Sequence, residues 1–215
     1  MAAPVKELAR PAADGAEDSA KRQQIIEGAH GIFLAQGFDA ASMNDIARAA
    51  GVSKGTLYVY FKDKVALFEA IVENECRGQA EGLFDLNNDD HDVAGVLTRI
   101  GIGYVPFLCR PSKAAVLRII VAIAERMPEV GKTFYETGPA HGIGLLAGYL
   151  RAQTEAGVLK VDEPEIAAAQ FLDSCQSTLF KPVLFNFGPP PDQKRIEHVV
   201  RLTVKAFMAA YAVPK

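Results

Sequence analysis

The stretch Ala49–Phe61, AAGVSKGTLYVYF, admits two incompatible readings. Gly51, Ser53 and Gly55 spell G-x-S-x-G, the pattern of a nucleophile elbow, in which a serine sits on a sharp turn between a buried strand and a helix. The same residues fit a glycine corner between two short helices, with Ser53 capping the second. The residues before the corner separate the two. Met43–Ala50, MNDIARAA, is rich in alanine, and Met43, Ile46, Ala47 and Ala50 recur at helical rather than alternating spacing. No β-branched run leads into Gly51. Only His91, His141 and His198 follow Ser53, none in a distinctive setting. Ser53 is therefore expected to be a helix cap that accepts from a backbone N–H two or three residues on, and a serine hydrolase is the alternative.

Working outward, Ile25, Ala29, Ile32 and Phe33 mark one face of a preceding helix, which Gly37 should stop in left-handed geometry. Ser42 with Asp45 three residues on resembles a capping box. Leu57 and Phe61 should point inward from the helix after the corner. Asp63 should cap a longer helix whose inward residues are Leu67, Phe68, Ile71, Val72 and Cys76. The remainder is also helical in pattern. One helix should end at Pro111. Another should be capped by Ser112 and stop before Pro128. Residues 129–138 and 139–157 follow, as two helices or one long broken helix. A helix opened by Pro164 should kink or end at Lys181-Pro182, and the last runs Asp192–Tyr211. The expected fold class is all-α: a three-helix headpiece at 21–66, after a disordered arm at 1–20, and a helical bundle at 67–215.

The chain has 215 residues, 49% hydrophobic and 23% charged, enough apolar content for a sizeable core. Its net charge of −3 is unevenly spread: a net +2 over residues 21–64 is followed by −6 over 65–90. A local basic face on a weakly charged chain is compatible with DNA binding. No apolar run is long enough to span a membrane and the N-terminus has no apolar signal region, so a cytoplasmic location is expected. Cys76, Cys109 and Cys175 form no C-x-x-C pair and are expected to be small buried residues. No metal site, cofactor or catalytic residue is expected. The acidic run Phe84–Asp92 lacks the spacing and glycine of an EF-hand loop and reads as a solvated loop.

A tight corner at Gly51-Val52-Ser53 is what a helix-turn-helix needs, because the second helix must cross steeply to reach a major groove with its N-terminal part. Lys54, Gly55, Thr56, Tyr58 and Tyr60 stand there. Lys54 offers a cation to phosphate or a guanine edge, and Gly55 allows close backbone approach. Thr56 offers a hydroxyl and a methyl, and the tyrosines suit phosphate. Ser42 and Lys64 lie at starts of flanking helices, where N–H groups favour a phosphate.

Through Ile25, Ala29, Phe33, Gly37, Phe38, Ile46, Ala47, Ala50, Gly51, Val52, Ser53, Gly55, Tyr58, Phe61, Lys64 and Leu67, the segment resembles the headpiece of TetR/AcrR-family transcriptional regulators. The resemblance implies DNA contacts at Ser42, Lys54, Gly55, Thr56, Tyr58, Tyr60 and Lys64. Many relatives carry histidine or arginine where this chain has Val59 or Tyr60, so readout at Val59 would be apolar. Residues 117–174 resemble the AefR-like C-terminal domain, which implies a ligand-sensing and dimerising bundle. The expected function is a ligand-responsive regulator, a homodimeric repressor that binds a palindromic operator in double-stranded DNA and is released by a small lipophilic effector. The same headpiece would serve an activator or an adaptor. Pocket candidates are Phe107, Met127, Phe134, Tyr135, His141, Phe171, Cys175 and Phe180, with Glu125, Glu136 and Asp173 as carboxylates that could meet a cationic ligand.

Overall fold

The computed structural model describes residues 12–214. These are helical apart from turns and one isolated antiparallel bridge, Leu159 to Ala212. The chain divides into two compact units, Met1–Ile71 and Val72–Lys215, so the division falls inside a helix rather than at the expected 66/67.

In the first unit α1 spans Ala12–Ala40, but Gly37 breaks it with φ 75° and ψ 176°. Residues 12–20, expected to belong to a disordered arm, are helical; residues 1–11 lie outside the described residues. After Gly37 the chain returns Phe38 to the core. Phe33, Phe38 and Phe68 pack as a cluster with centroids 5.1–5.6 Å apart. The short α2 (Met43–Ala49) and α3 (Lys54–Tyr60) are each held by one buried strip, Ile46 and Ala47 on α2 and Leu57 on α3. Helices this short are not stable alone, so packing holds them, α2 on α1 and α3 on α2. The first part of α4 (Lys64–Leu83) contributes Leu67 and Phe68, both fully buried.

The second unit carries the rest of α4, then α5 (Val93–Leu108), α6 (Pro111–Ile123), α7 (Pro128–Tyr135), a π-helical turn (Glu136–Ala140), α8 (His141–Glu155), α9 (Pro164–Gln176), α10 (Phe180–Leu184) and α11 (Gln193–Tyr211). α8 packs on α9, and α11 packs on α5 and α9. Leu97, Leu146, Leu150, Ala168 and Val200 lie at the centre of this core. Two expected boundaries move. Ser112 is not the cap of α6: Pro111 occupies the first turn, where a missing N–H costs nothing, and Arg110 precedes it without a side-chain cap. The helix over Pro182 fails earlier than the proline, because its ring conflicts with the carbonyl four residues back; α9 ends at Gln176 and α10 starts afresh at Phe180. The acidic run is tied down. Gln153, fully buried, bonds His91 Nδ1 at 2.8 Å and donates to the Asn88 carbonyl at 2.6 Å. Tyr149 donates to the Asp90 carbonyl at 2.7 Å. The Arg99 guanidinium, 2.9 Å from Asp90, holds that carboxyl below the usual range.

Candidate nucleic-acid interface and cavity

The corner is entered from a helix. α2 leads into Gly51, whose φ of 63° is left-handed and favours glycine. Ser53 then takes an extended conformation, and its Oγ accepts from Thr56 N at 3.0 Å, a cap worth about 1 kcal/mol. Ser42 Oγ likewise accepts from Asp45 N at 3.2 Å while donating to Asp45 Oδ2 at 2.6 Å. Ser53 is a cap inside a helix-turn-helix, and no strand presents it as a nucleophile.

Two contacts from α1 support the corner, and the sequence reading missed both. Gln24 Nε2 donates to the Ala50 carbonyl at 2.6 Å, satisfying the exposed end of α2. Gly28 lies against the same residue: a Cβ there would stand 2.7 Å from Ala50 Cα and N. Gly28 is thus the close-approach point of α1 on the corner. A glycine between Ile25 and Phe33 was the available signal, but only the partner's position reveals what it accommodates.

α3 has a clear sidedness. Leu57 is fully buried, and Phe61 caps the helix in the core with Arg22 over its ring at 5.2 Å. Lys54, Gly55, Tyr58 and Val59 face solvent, Tyr58 at 46% and Val59 at 82% exposure. Lys54 Nζ stands 5.9 Å from the Tyr58 ring centre, so cation and phenol form one patch. Thr56 is half-buried and its hydroxyl is 2.8 Å from Ser53 Oγ.

Two expected contacts have other partners. Tyr60 donates its hydroxyl to Asp18 Oδ1 at 2.7 Å, a bond that raises the Tyr60 pKa. Lys64 points at its own fold rather than outward. Its ammonium donates to the carbonyls of Phe38, Asp39 and Ala41 at 2.9, 3.0 and 3.2 Å and lies over the Phe38 ring at 4.7 Å. Its three N–H donors tie the post-Gly37 segment to the start of α4. Asp63 caps that helix, accepting from Ala66 N at 2.8 Å.

The second unit contains a cavity of about 120 Å³. Of the candidate residues, Phe107, Phe134 and Phe180 line it. The other five do not. Phe171 and Cys175 are core: Phe171 packs edge-on against Phe207 at 5.7 Å, and burial pushes the Cys175 thiol up to about 12. Tyr135 is 59% exposed, His141 is exposed, and Met127 is the residue before α7. Glu125, Glu136 and Asp173 do not line it either; Asp173 accepts from Gln176 at 2.8 Å. The wall has a charged pair that the sequence did not single out, Glu75 on α4 and Lys113 on α6, 2.5 Å apart. Beside it Cys76 lies under the π-helical turn, where a Cβ on Gly138 would come within 3.2 Å of its Sγ. Burial pushes the Cys76 thiol up, against the hydrogen bond from Thr137. Burial also keeps the Tyr104 phenol protonated well beyond its ordinary range.

Residues 25–71 match the family described as bacterial regulatory proteins, tetR family, and residues 95–213 match the AefR-like transcriptional repressor C-terminal domain. This chain belongs to the TetR family. Among solved structures, the flavonoid-responsive regulator FrrA is 34% identical, with a TM-score of 0.76 over 92% of this chain and 100% of that one. One from Mesorhizobium loti is 27% identical, with a TM-score of 0.84 over 91% and 98%. Curated relatives align over shorter stretches. YvdT of Bacillus subtilis, an HTH-type transcriptional regulator, is 41% identical over 58 residues, 27% of this chain and 30% of that one. The repressor BepR of Brucella suis is 32% identical over 76 residues, 35% and 36%. The chain thus spans about a third of the length of these curated relatives. This TetR-family protein carries the DNA-binding domain of bacterial transcriptional regulators. Among the described residues no helix is long and apolar enough to cross a membrane.

Proposed function

We propose that the protein is a homodimeric repressor that binds a palindromic operator and is released when a small lipophilic effector enters the cavity of the second unit. The observation that carries the DNA half is the sidedness of α3: Leu57 and Phe61 are buried while Lys54, Gly55, Tyr58 and Val59 stand clear of the core. The helix enters a major groove through Lys54, Gly55 and Thr56, with Val59 offering an apolar contact to a thymine methyl. Ser42, Tyr58 and Tyr60 meet phosphates. At Lys64 the main-chain N–H at the start of α4 is the phosphate contact, because the ammonium is engaged elsewhere.

Ile166 on α9 and Leu202 on α11 are large exposed apolar residues, which supports these helices as the dimer faces. Two-fold pairing would place the recognition helices roughly 34 Å or more apart, one DNA turn. Aromatic walls from Phe84, Phe107, Phe134 and Phe180 support a lipophilic effector, as does the likeness to a flavonoid-responsive regulator. α4 supplies the route: it starts at Lys64 and carries Glu75 and Cys76 into the cavity wall. An effector acts only if it binds the DNA-free state more tightly than the DNA-bound one.

The test is fluorescence anisotropy with duplexes tiled across the DNA flanking the gene. One palindromic fragment should bind as two protomers, with affinity falling linearly in log–log against salt. Absence of binding to every flanking fragment, or binding that salt leaves unchanged, would overturn the reading.

A further inference from the structure

From the Glu75–Lys113 pair in the cavity wall, we infer that the effector is an amphipathic organic anion: an aromatic body ending in a carboxylate or phenolate that takes Lys113 from Glu75. The inference rests on the reading of this cavity as the effector site. Among the described residues lining it, Glu75 and Lys113 are the charged side chains; the remainder of the wall is almost entirely apolar and aromatic. An ion pair in such a wall contributes little net stability compared with apolar residues of the same size, because both charges lose hydration. Its effect is to offer a polar end to whatever enters.

The two partners are not equivalent. Lys113 is 12% exposed, and its ammonium has three partners: the Glu75 carboxylate, the Glu75 main-chain carbonyl and the face of Phe107 at 4.6 Å from the ring centre. Two of these, a helix carbonyl and a packed ring, do not move away. Glu75 is 25% exposed, twice as accessible. A cationic ligand would have to displace Lys113 from all three contacts. An anionic one displaces a single carboxylate and inherits a fixed, desolvated ammonium already stacked on an aromatic ring. Phe107 would then lie beside both the ammonium and the ligand's aromatic body. A neutral ligand fills the same space without drawing on the pair.

The exchange also changes α4. With Glu75 released, Lys113 keeps its hold on the α4 main chain only through the Glu75 carbonyl. The ligand's charge thus acts on the helix that begins at Lys64.

The experiment displaces a neutral lipophilic dye, Nile red, from the full-length protein with three matched probes: biphenyl-4-carboxylate, biphenyl-4-methanol and biphenyl-4-methylammonium. The carboxylate should displace the dye at about tenfold lower concentration than the alcohol, the value of one charge-assisted hydrogen bond, and the ammonium should be weakest. Glu75→Gln, which removes the competing carboxylate, should tighten carboxylate binding about tenfold and leave the alcohol unchanged. Lys113→Met should bring the acid-to-alcohol ratio to about one while dye affinity holds, and Lys113→Arg should keep the preference. Far-UV circular dichroism confirms that each variant is folded. Equal binding of acid and alcohol, a preference for the ammonium, a preference surviving Lys113→Met, or no gain in Glu75→Gln would each overturn the anion inference while leaving the cavity reading intact. Dye that fails to bind, or that binds equally when Leu117→Trp fills the cavity, would instead overturn the effector-site reading and this inference with it.

Discussion

The Tyr60 hydroxyl at the end of α3 donates to the Asp18 carboxylate of α1 at 2.7 Å. An acid therefore occupies the hydroxyl proposed to meet a DNA phosphate. A phosphate must displace that carboxylate, and the displaced charge then lies beside the DNA and repels it. Asp18→Asn should tighten operator binding about fivefold at moderate salt, read by anisotropy, and Tyr60→Phe should cancel the gain. Unchanged affinity in Asp18→Asn would mean that Tyr60 does not touch DNA.

Lys54 and Lys64 should separate cleanly. Lys54 stands at the exposed start of α3, so Lys54→Ala should flatten the salt dependence by about 0.9 in log–log slope, one phosphate's worth. Lys64→Met should leave that slope nearly unchanged and instead lower headpiece stability by about 1–3 kcal/mol, since three carbonyls lose a charged donor. Urea unfolding and a salt series on both variants decide it. A flattened slope in Lys64→Met with no loss of stability would contradict the observed bonding.

Gly28 and Gly31 lie three residues apart on α1 and should respond oppositely to alanine. At Gly28 the added methyl collides with the Ala50 backbone, so Gly28→Ala should cost about 1–3 kcal/mol and weaken DNA binding by displacing the corner. At Gly31 nothing stands within 4 Å, so Gly31→Ala should stabilise by roughly 0.5–1 kcal/mol through helix propensity. Thermal unfolding of the two variants side by side is the measurement.

Gln153 is the polar centre of the second unit's loop anchorage. Gln153→Leu keeps the volume but leaves His91 and the Asn88 carbonyl without their partner, and should cost about 1–3 kcal/mol in urea unfolding. A stability loss below about 0.5 kcal/mol would mean that water replaces the amide without penalty.

The thiols should follow their burial. Burial pushes Cys109 up to about 11 and Cys175 up to about 12, so neither forms thiolate near neutral pH in the native state. Disulfide-exchange reagents at pH 8 should leave both unmodified until the protein is unfolded, when the pKa values return to the ordinary thiol range and reaction becomes fast. Mass spectrometry of native and denatured samples reads the difference residue by residue.

The features legible in the amino-acid order are local. Helical spacing at Ile46, Ala47 and Ala50, the glycine corner at Gly51, and the caps at Ser42, Ser53 and Asp63 all involve partners within a few residues, so position along the chain predicts position in space. The same local information was sufficient to reject a strand before Ser53. The expected cap at Ser112 lies two residues past Arg110, and α9 ends five residues before Lys181, because a proline favours the first turn of a helix and disrupts the turn before it. Which distant groups meet is set by how the helices pack. Lys64 finds carbonyls 23 to 26 residues back, Gln24 reaches Ala50, Tyr60 reaches Asp18, and Glu75 meets Lys113. The packing also decides that Phe134 borders open space whereas Phe171 borders Phe207. An apolar residue on a buried helix face looks the same in either case, because a cavity is a property of how helices pack against one another and not of any residue that lines it.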